Sequence, residues 1–310
     1  MSSLTAAVQQ AESPVGQWMR ATFPHLGPLR QGVREAAGGL MVAPSTAVAL
    51  GTQGAAIDWW LRLLIDRRVS LELPMRGLWD RGAGFDGAGR ELLDVLCPRR
   101  PTILEPAVHA SETDEWWARV CYALALLVER FRNPVITGSR LFTLSRGSTA
   151  ADLLALANDD EVADLIAMRD LALSHLLPRL TAGTVHTGPT FDGSAYLGAD
   201  ADLVADGVLI DFKAGCGGKP RRDGTRSPAL ASTDVYQLLG YALMDFSDRY
   251  ALHTVGVYAV RFGYLAQWPL TELIRQATGR TDLGLLALRQ QFGDLLAASD
   301  AAGAGAHRRR

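Results

Sequence analysis

The sequence predicts an α/β fold whose core runs helix, three antiparallel strands, helix, strand. Three observations carry this reading. Apolar residues recur at helical spacing through most of the first 182 positions. At about Gly183 the period drops from roughly 3.6 to 2, the change from a helix face to a pleated strand. Within the alternating stretch, in DLVADGVLIDFKAG, Asp206-Gly207 separates two apolar runs, the strongest short-range signal for a two-residue type I′ hairpin.

The elements follow in order. Between Ser13 and about Ala37 the residues Val15, Trp18, Met19, Phe23, Leu26, Leu29 and Val33 mark short N-terminal helices, interrupted by Pro24 and Pro28. A stronger helix runs from about Thr52 to Asp66, with Ala56, Trp59, Trp60, Leu63 and Leu64 on a broad apolar face that also carries Asp58. Residues 67–182 form a large helical insertion, in which SETDEWWARVCYALALLVERF begins with polar capping residues and Thr149-x-x-Asp152 has the pattern of a capping box. The Trp pairs at 59/60 and 116/117 fit helix packing. Residues 183–215 read as three strands, followed by a basic loop, the helix DVYQLLGYALMDF and the strand HTVGVYAVRF. C-terminal helices occupy 269–297, which closes a single domain over 1–297. The stretch 298–310, ASDAAGAGAHRRR, has the composition of a disordered basic tail.

Composition bounds the function. A chain of 310 residues with 48% hydrophobic and 21% charged content is long enough for a large core, and a net charge of −2 leaves any nucleic-acid contact to a local basic patch. Cys97, Cys121 and Cys216 are far apart, with no C-x-x-C spacing, so no zinc or iron–sulfur cluster is expected. With no leader pattern and no apolar run approaching a bilayer span, a reduced, cytoplasmic protein with no membrane association is expected.

The hairpin also specifies a candidate site. If 205 pairs with 208, then 202 faces 211 and 200 faces 213, because each step outward adds one residue per strand. Asp200, Asp202, Val204, Leu209, Asp211 and Lys213 then share one face, while Leu203, Val208, Ile210 and Phe212 point to the other. Opposed carboxylates repel each other unless a cation or proton lies between them, and two hard oxygen ligands at that separation suit Mg²⁺. Lys213 is one of only two lysines in a chain that otherwise uses Arg. Its compact ammonium fits a crowded metal site, where a planar guanidinium would not, and could stabilise charge on a phosphate. The alternative is an ordinary half-exposed hairpin, with Asp200 and Lys213 forming a weak surface ion pair.

The helix after the hairpin adds Gln237 and Tyr241, four apart and therefore on one helix face. Together, GADADLVADGVLIDFKAG and YQLLGY resemble the PD-(D/E)XK nuclease superfamily, most closely its RecB-like branch. In that branch a G-x-x-D-L-V strand, a D-x-K strand and a Q-x-x-x-Y helix occur in this order. The matching residues are Gly198 and Asp202, then Asp211 and Lys213, then Gln237 and Tyr241. The resemblance covers about 51–66 and 183–262.

That resemblance implies a restriction-endonuclease-like core in which Asp202, Asp211 and the backbone carbonyl of Phe212 hold Mg²⁺ or Mn²⁺. The implied activity is hydrolysis of DNA phosphodiesters, with RNA left open, in repair or in defence against foreign DNA such as phage. Lys213 would position the water or stabilise the transition state, and Gln237 and Tyr241 would support the site or touch the nucleic acid. Asp58 matches the first-helix position, where the branch more often has His. The loop residues Lys219, Arg221, Arg222 and Arg226 could reach phosphates beside the site, the other reading being a solvated turn. The rival function is a catalytically inactive protein of the same fold that binds DNA or a partner protein through the helical insertion.

Overall fold

The computed structural model describes residues 3–66, 68–78, 83–99, 103–104, 112–133, 135–180 and 183–307. These residues form a mixed α/β structure with a five-stranded sheet and twelve α-helices. The N-terminal helices are α1 (Leu4–Gln9), α2 (Pro14–Thr22) and α3 (Gly27–Ala36). The long helix α4 (Leu50–Ile65) is followed by α5 (Glu72–Arg76), α6 (Asp86–Leu96), α7 (Asp114–Arg132), α8 (Ala150–Leu154) and α9 (Asp159–His175). Strands β1 (Val185–Thr187), β2 (Leu203–Ala205) and β3 (Val208–Lys213) come next, then α10 (Ser232–Met244) and β4 (Thr254–Ala259). Strand β5 (Tyr264–Pro269), α11 (Leu270–Thr278) and α12 (Leu285–His307) complete the chain.

Spatial strand order equals chain order, and every neighbouring pair is antiparallel except β3–β4, which is parallel across the α10 crossover. The expected sequence of helix, three strands, helix and strand is present. Strand β5 was not anticipated: its outer end is half-exposed, and its run YLAQWP carries a terminal Pro and no clean alternation. It pairs along all of β4, where the ladder supplies what local pattern did not.

Alternate residues of the strands enter two separate apolar layers. Leu203, Ala205, Ile210, Tyr258 and Leu265 pack with α4 to α9, whereas Val204, Leu209, Val255, Val257 and Ala266 pack with α1 to α3 and α10 to α12. The expectation of one apolar and one open face on the hairpin is therefore corrected. Both faces are covered, and the polar residues sit at the β3 end, beyond Leu209. The helical insertion is one of the two layers: α7, buried along Val120 to Val128, lies directly on α4.

Local chemistry explains the helix boundaries. Thr113 caps α7 by accepting from Trp116 N–H, Asp114 and Glu115 occupy its first turn, and Arg130 and Arg132 its last, each favourable to the helix dipole. The Thr149/Asp152 capping box forms as expected. A second box at Asn158/Glu161 begins α9 four residues after α8 ends. Backbone helix extends to His307, so 298–307 is helical rather than a disordered tail, consistent with the high helix propensity of its alanines. The end of that tail, 308–310, lies outside the described residues. No helix among the described residues is long and apolar enough to cross a membrane.

Candidate active site

The hairpin turn has φ of 46° at Asp206 and 77° at Gly207, as a type I′ turn requires. His253 Nε2 lies 3.0 Å from the Asp206 carbonyl oxygen and braces the turn. The register is Ala205 with Val208, Val204 with Leu209 and Leu203 with Ile210, as expected, and Asp202 and Asp211 are each one residue beyond this last pair. Regular pairing stops at that point. Asp202 Oδ2 accepts from the Phe212 backbone N–H at 2.6 Å, a side chain taking the place of the ladder bond. Beyond it the chain bends away. Asp200 bridges Thr190 instead of reaching Lys213, and its carboxylate pairs with Arg132 at 2.8 Å. Both the continued register to 200/213 and the Asp200–Lys213 ion pair are thus corrected.

Asp211 is 3% exposed. Its Oδ2 lies 2.7 Å from Lys213 Nζ, in ionic contact but without an aligned hydrogen bond. Burial raises the Asp211 pKa to about 7, Lys213 opposes that rise, and the nearby Asp202 adds to it. Burial disfavours the charge on Lys213, yet Asp211 and Asp234 outweigh it and hold the pKa above the ordinary lysine value. Lys213 is therefore a fixed cation.

Helix α10 brings the remaining predicted residues to the same place. Lys213 Nζ donates to Gln237 Oε1 at 2.9 Å, and Gln237 Nε2 donates to Tyr241 Oη at 2.6 Å and Thr5 Oγ1 at 3.0 Å. The turn between Gln237 and Tyr241 is what lets the amide span from lysine to phenol. Tyr241 stacks on Phe191 with ring centroids 5.6 Å apart, and burial raises its pKa well above the ordinary phenol value. It stays protonated. Gln237 is thus a buried connector between Lys213 and Tyr241.

Asp58 joins from α4 through a residue that sequence reading missed. Arg62 Nε donates to Asp58 Oδ1 at 2.9 Å, and its Nη2 lies 2.9 Å from Asp58 Oδ2 and 3.3 Å from Asp202 Oδ1. Burial raises the Asp58 pKa to about 7 although Arg62 opposes the rise, and the side chain retains 22% exposure to the cleft. The signal for Arg62 was the Asp58-x-x-x-Arg62 spacing, which puts both groups on one face of the helix. Thr5, Arg132 and Asp234 were also missed. Thr5 belongs to α1, which packs across the site: Leu4 N–H donates to Gly198 carbonyl oxygen at 2.8 Å, and a Cβ on Gly240 would come within 2.8 Å of Leu4.

Asp58, Arg62, Arg132, Asp202, Gln237 and Tyr241 line a cleft of about 850 Å³, whereas Lys213 lines a separate, smaller cavity. The end of β3 is fixed from behind by Arg261, which donates to the Ala214 carbonyl oxygen at 2.8 Å and forms a two-pronged pair with Asp164 on α9 at 2.6 and 2.8 Å. Lys219, Arg221, Arg222 and Arg226 do not join the carboxylates. Arg221 donates to the Arg34 carbonyl oxygen and Ser227 Oγ, and Arg226 to the Gly218 carbonyl oxygen, so both hold the loop together. Lys219 and Arg221 instead border a separate cleft of about 540 Å³ with Arg30 and Arg34 of α3, while Arg222 is exposed on the same loop.

For a divalent ion, the donor set is limited. Among the described residues no three His, Cys, Asp or Glu side chains converge into a metal cage. Asp202 and Asp211 could hold such an ion only with water completing its shell, the mode Mg²⁺ favours, and Asp211 Oδ2 is buried with no aligned hydrogen bond. Comparison with family models, curated proteins and solved structures finds no significant match to the chain.

Proposed function

We propose that the protein is a metal-dependent nuclease of the PD-(D/E)XK kind, RecB-like, acting on DNA, with Asp202, Asp211 and the Phe212 carbonyl as ligands for Mg²⁺ or Mn²⁺. The observation supporting this reading is the position of Lys213 Nζ, 2.7 Å from Asp211 and 2.9 Å from Gln237, which joins the D-x-K and Q-x-x-x-Y motifs, while Asp202 of the remaining motif is bonded to the Phe212 N–H. A divalent ion there would polarise the phosphodiester and lower the pKa of a bound water.

The chain's own residues have defined tasks. Lys213, permanently charged, is the electrostatic partner for negative charge developing on the phosphate. Gln237 fixes the ammonium in place, and Tyr241, protonated, holds the Gln237 amide rather than acting as a base. Asp202 ties β2 to β3 through Phe212 N–H, so that the two acids keep their spacing. The basic loop and α3 offer contacts to a phosphate backbone through Lys219, Arg30 and Arg34 at their shared cleft and through the exposed Arg222. A cytoplasmic role in DNA repair or in defence against foreign DNA suits such an activity.

A second reading is favoured by a specific observation: every site carboxylate already faces a cation, with Arg62 between Asp58 and Asp202, Lys213 on Asp211, and Arg132 on Asp200. Under it the protein binds DNA or a partner protein without turnover. Purified protein incubated with linear, circular and single-stranded DNA in Mg²⁺ or Mn²⁺ separates the two. Cutting by wild type and none by Lys213→Ala or Asp211→Ala is expected. Cutting unaffected by these changes rejects the site, and DNA retention without cutting by wild type selects the second reading.

A further inference from the structure

We infer that Arg62 is the site's own cation between Asp58 and Asp202, so that the site takes a single divalent ion, on the Asp202/Asp211 side, with Asp58 as a positioning residue rather than a ligand. This rests on the metal-binding reading above and sharpens it.

The seat of Arg62 is built for it. The side chain is 7% exposed, grips Asp58 with two nitrogens at 2.9 Å each and reaches Asp202 at 3.3 Å. Its guanidinium lies 5.6 Å from the centroid of the Trp59 ring. Its Nη1 would come within 2.4 Å of a Cβ at position 188, where the chain has Gly188 at φ 61°. A glycine, a ring and two carboxylates therefore surround one guanidinium. A guanidinium held by two carboxylates is cationic.

An ion at the Asp58/Asp202 position would have to occupy the guanidinium's place or sit against a fixed positive charge in a poorly screened cleft. Asp211 is held less fully, since Lys213 meets its Oδ2 at 2.7 Å without an aligned hydrogen bond and is shared with Gln237 and Asp234. Each of the two buried acids facing Asp202 thus has its own protein cation, but only Asp58 is held by both oxygens. The free valence is at Asp211.

The test is the stoichiometry of Mn²⁺ binding to full-length protein, measured by titration calorimetry and by the electron paramagnetic resonance signal of free Mn²⁺. Wild type is expected to bind one ion, Arg62→Lys one, Arg62→Met two, and the double variant Asp58→Asn/Arg62→Met one again. Two ions on wild type, or one ion on a folded Arg62→Met, overturns the inference while leaving the metal-binding reading intact. No binding by wild type removes both. The wild-type count reads out whether or not Arg62→Met folds.

Discussion

Lys213 on β3 donates to Gln237 on α10 across 2.9 Å, a bond between residues 24 positions apart that fixes the ammonium beside Asp211. A guanidinium in that place would be wider and would have to move either Asp211 or Gln237. Lys213→Arg is expected to lower DNA cleavage about a hundredfold or more while retaining the charge. Single-turnover rates of the two proteins at saturating Mn²⁺ measure this, and a near-normal rate rejects the geometric role given to Lys213.

Tyr241 supplies one of two acceptors for Gln237 Nε2, the other being Thr5. Tyr241→Phe leaves the amide with one partner in a buried setting and is expected to cost about 1–2 kcal/mol of stability. Urea midpoints measure the cost. Because Gln237 then holds Lys213 less firmly, the same variant is expected to lose activity without losing Mn²⁺ affinity.

Arg261 is fully buried, and its pair with Asp164 joins α9 to the β3 end at Ala214. Arg261→Met leaves the Asp164 carboxylate buried and alone, with an expected loss of about 3–5 kcal/mol. The double change Arg261→Met/Asp164→Leu should cost less, since no uncompensated charge remains. Denaturant unfolding of the three proteins checks the ordering.

The metal-free protein should become less stable as pH rises from about 4 to about 7 on account of Asp211. Its folded-state pKa is raised, so in that window the folded state binds more protons than the unfolded state, and stability falls with pH. Below the window both states are protonated and the penalty vanishes; above it the penalty is complete. Melting temperatures in chelator at about pH 5 and about pH 8 should show this fall. The fall should be smaller in Asp211→Asn.

What the sequence determined by itself is local. Asp206-Gly207 set the turn, the turn set the register, and one turn of helix put Gln237 and Tyr241 on one face, because each of these follows from a few adjacent dihedral angles. The order of the three short motifs along the chain was likewise legible before any packing was known. Tertiary structure alone decided the rest. Asp200 left the predicted register because Arg132 on α7 and Thr190 captured it, and Arg62 entered the site because α4 lies against the β2–β3 end. Strand β5 formed because β4 offered an unpaired edge, and α1 reached the site because Gly240 lets Leu4 approach α10. These relationships pair groups far apart in sequence, and their energies depend on burial and on which charge is nearest, quantities that no short window of residues contains.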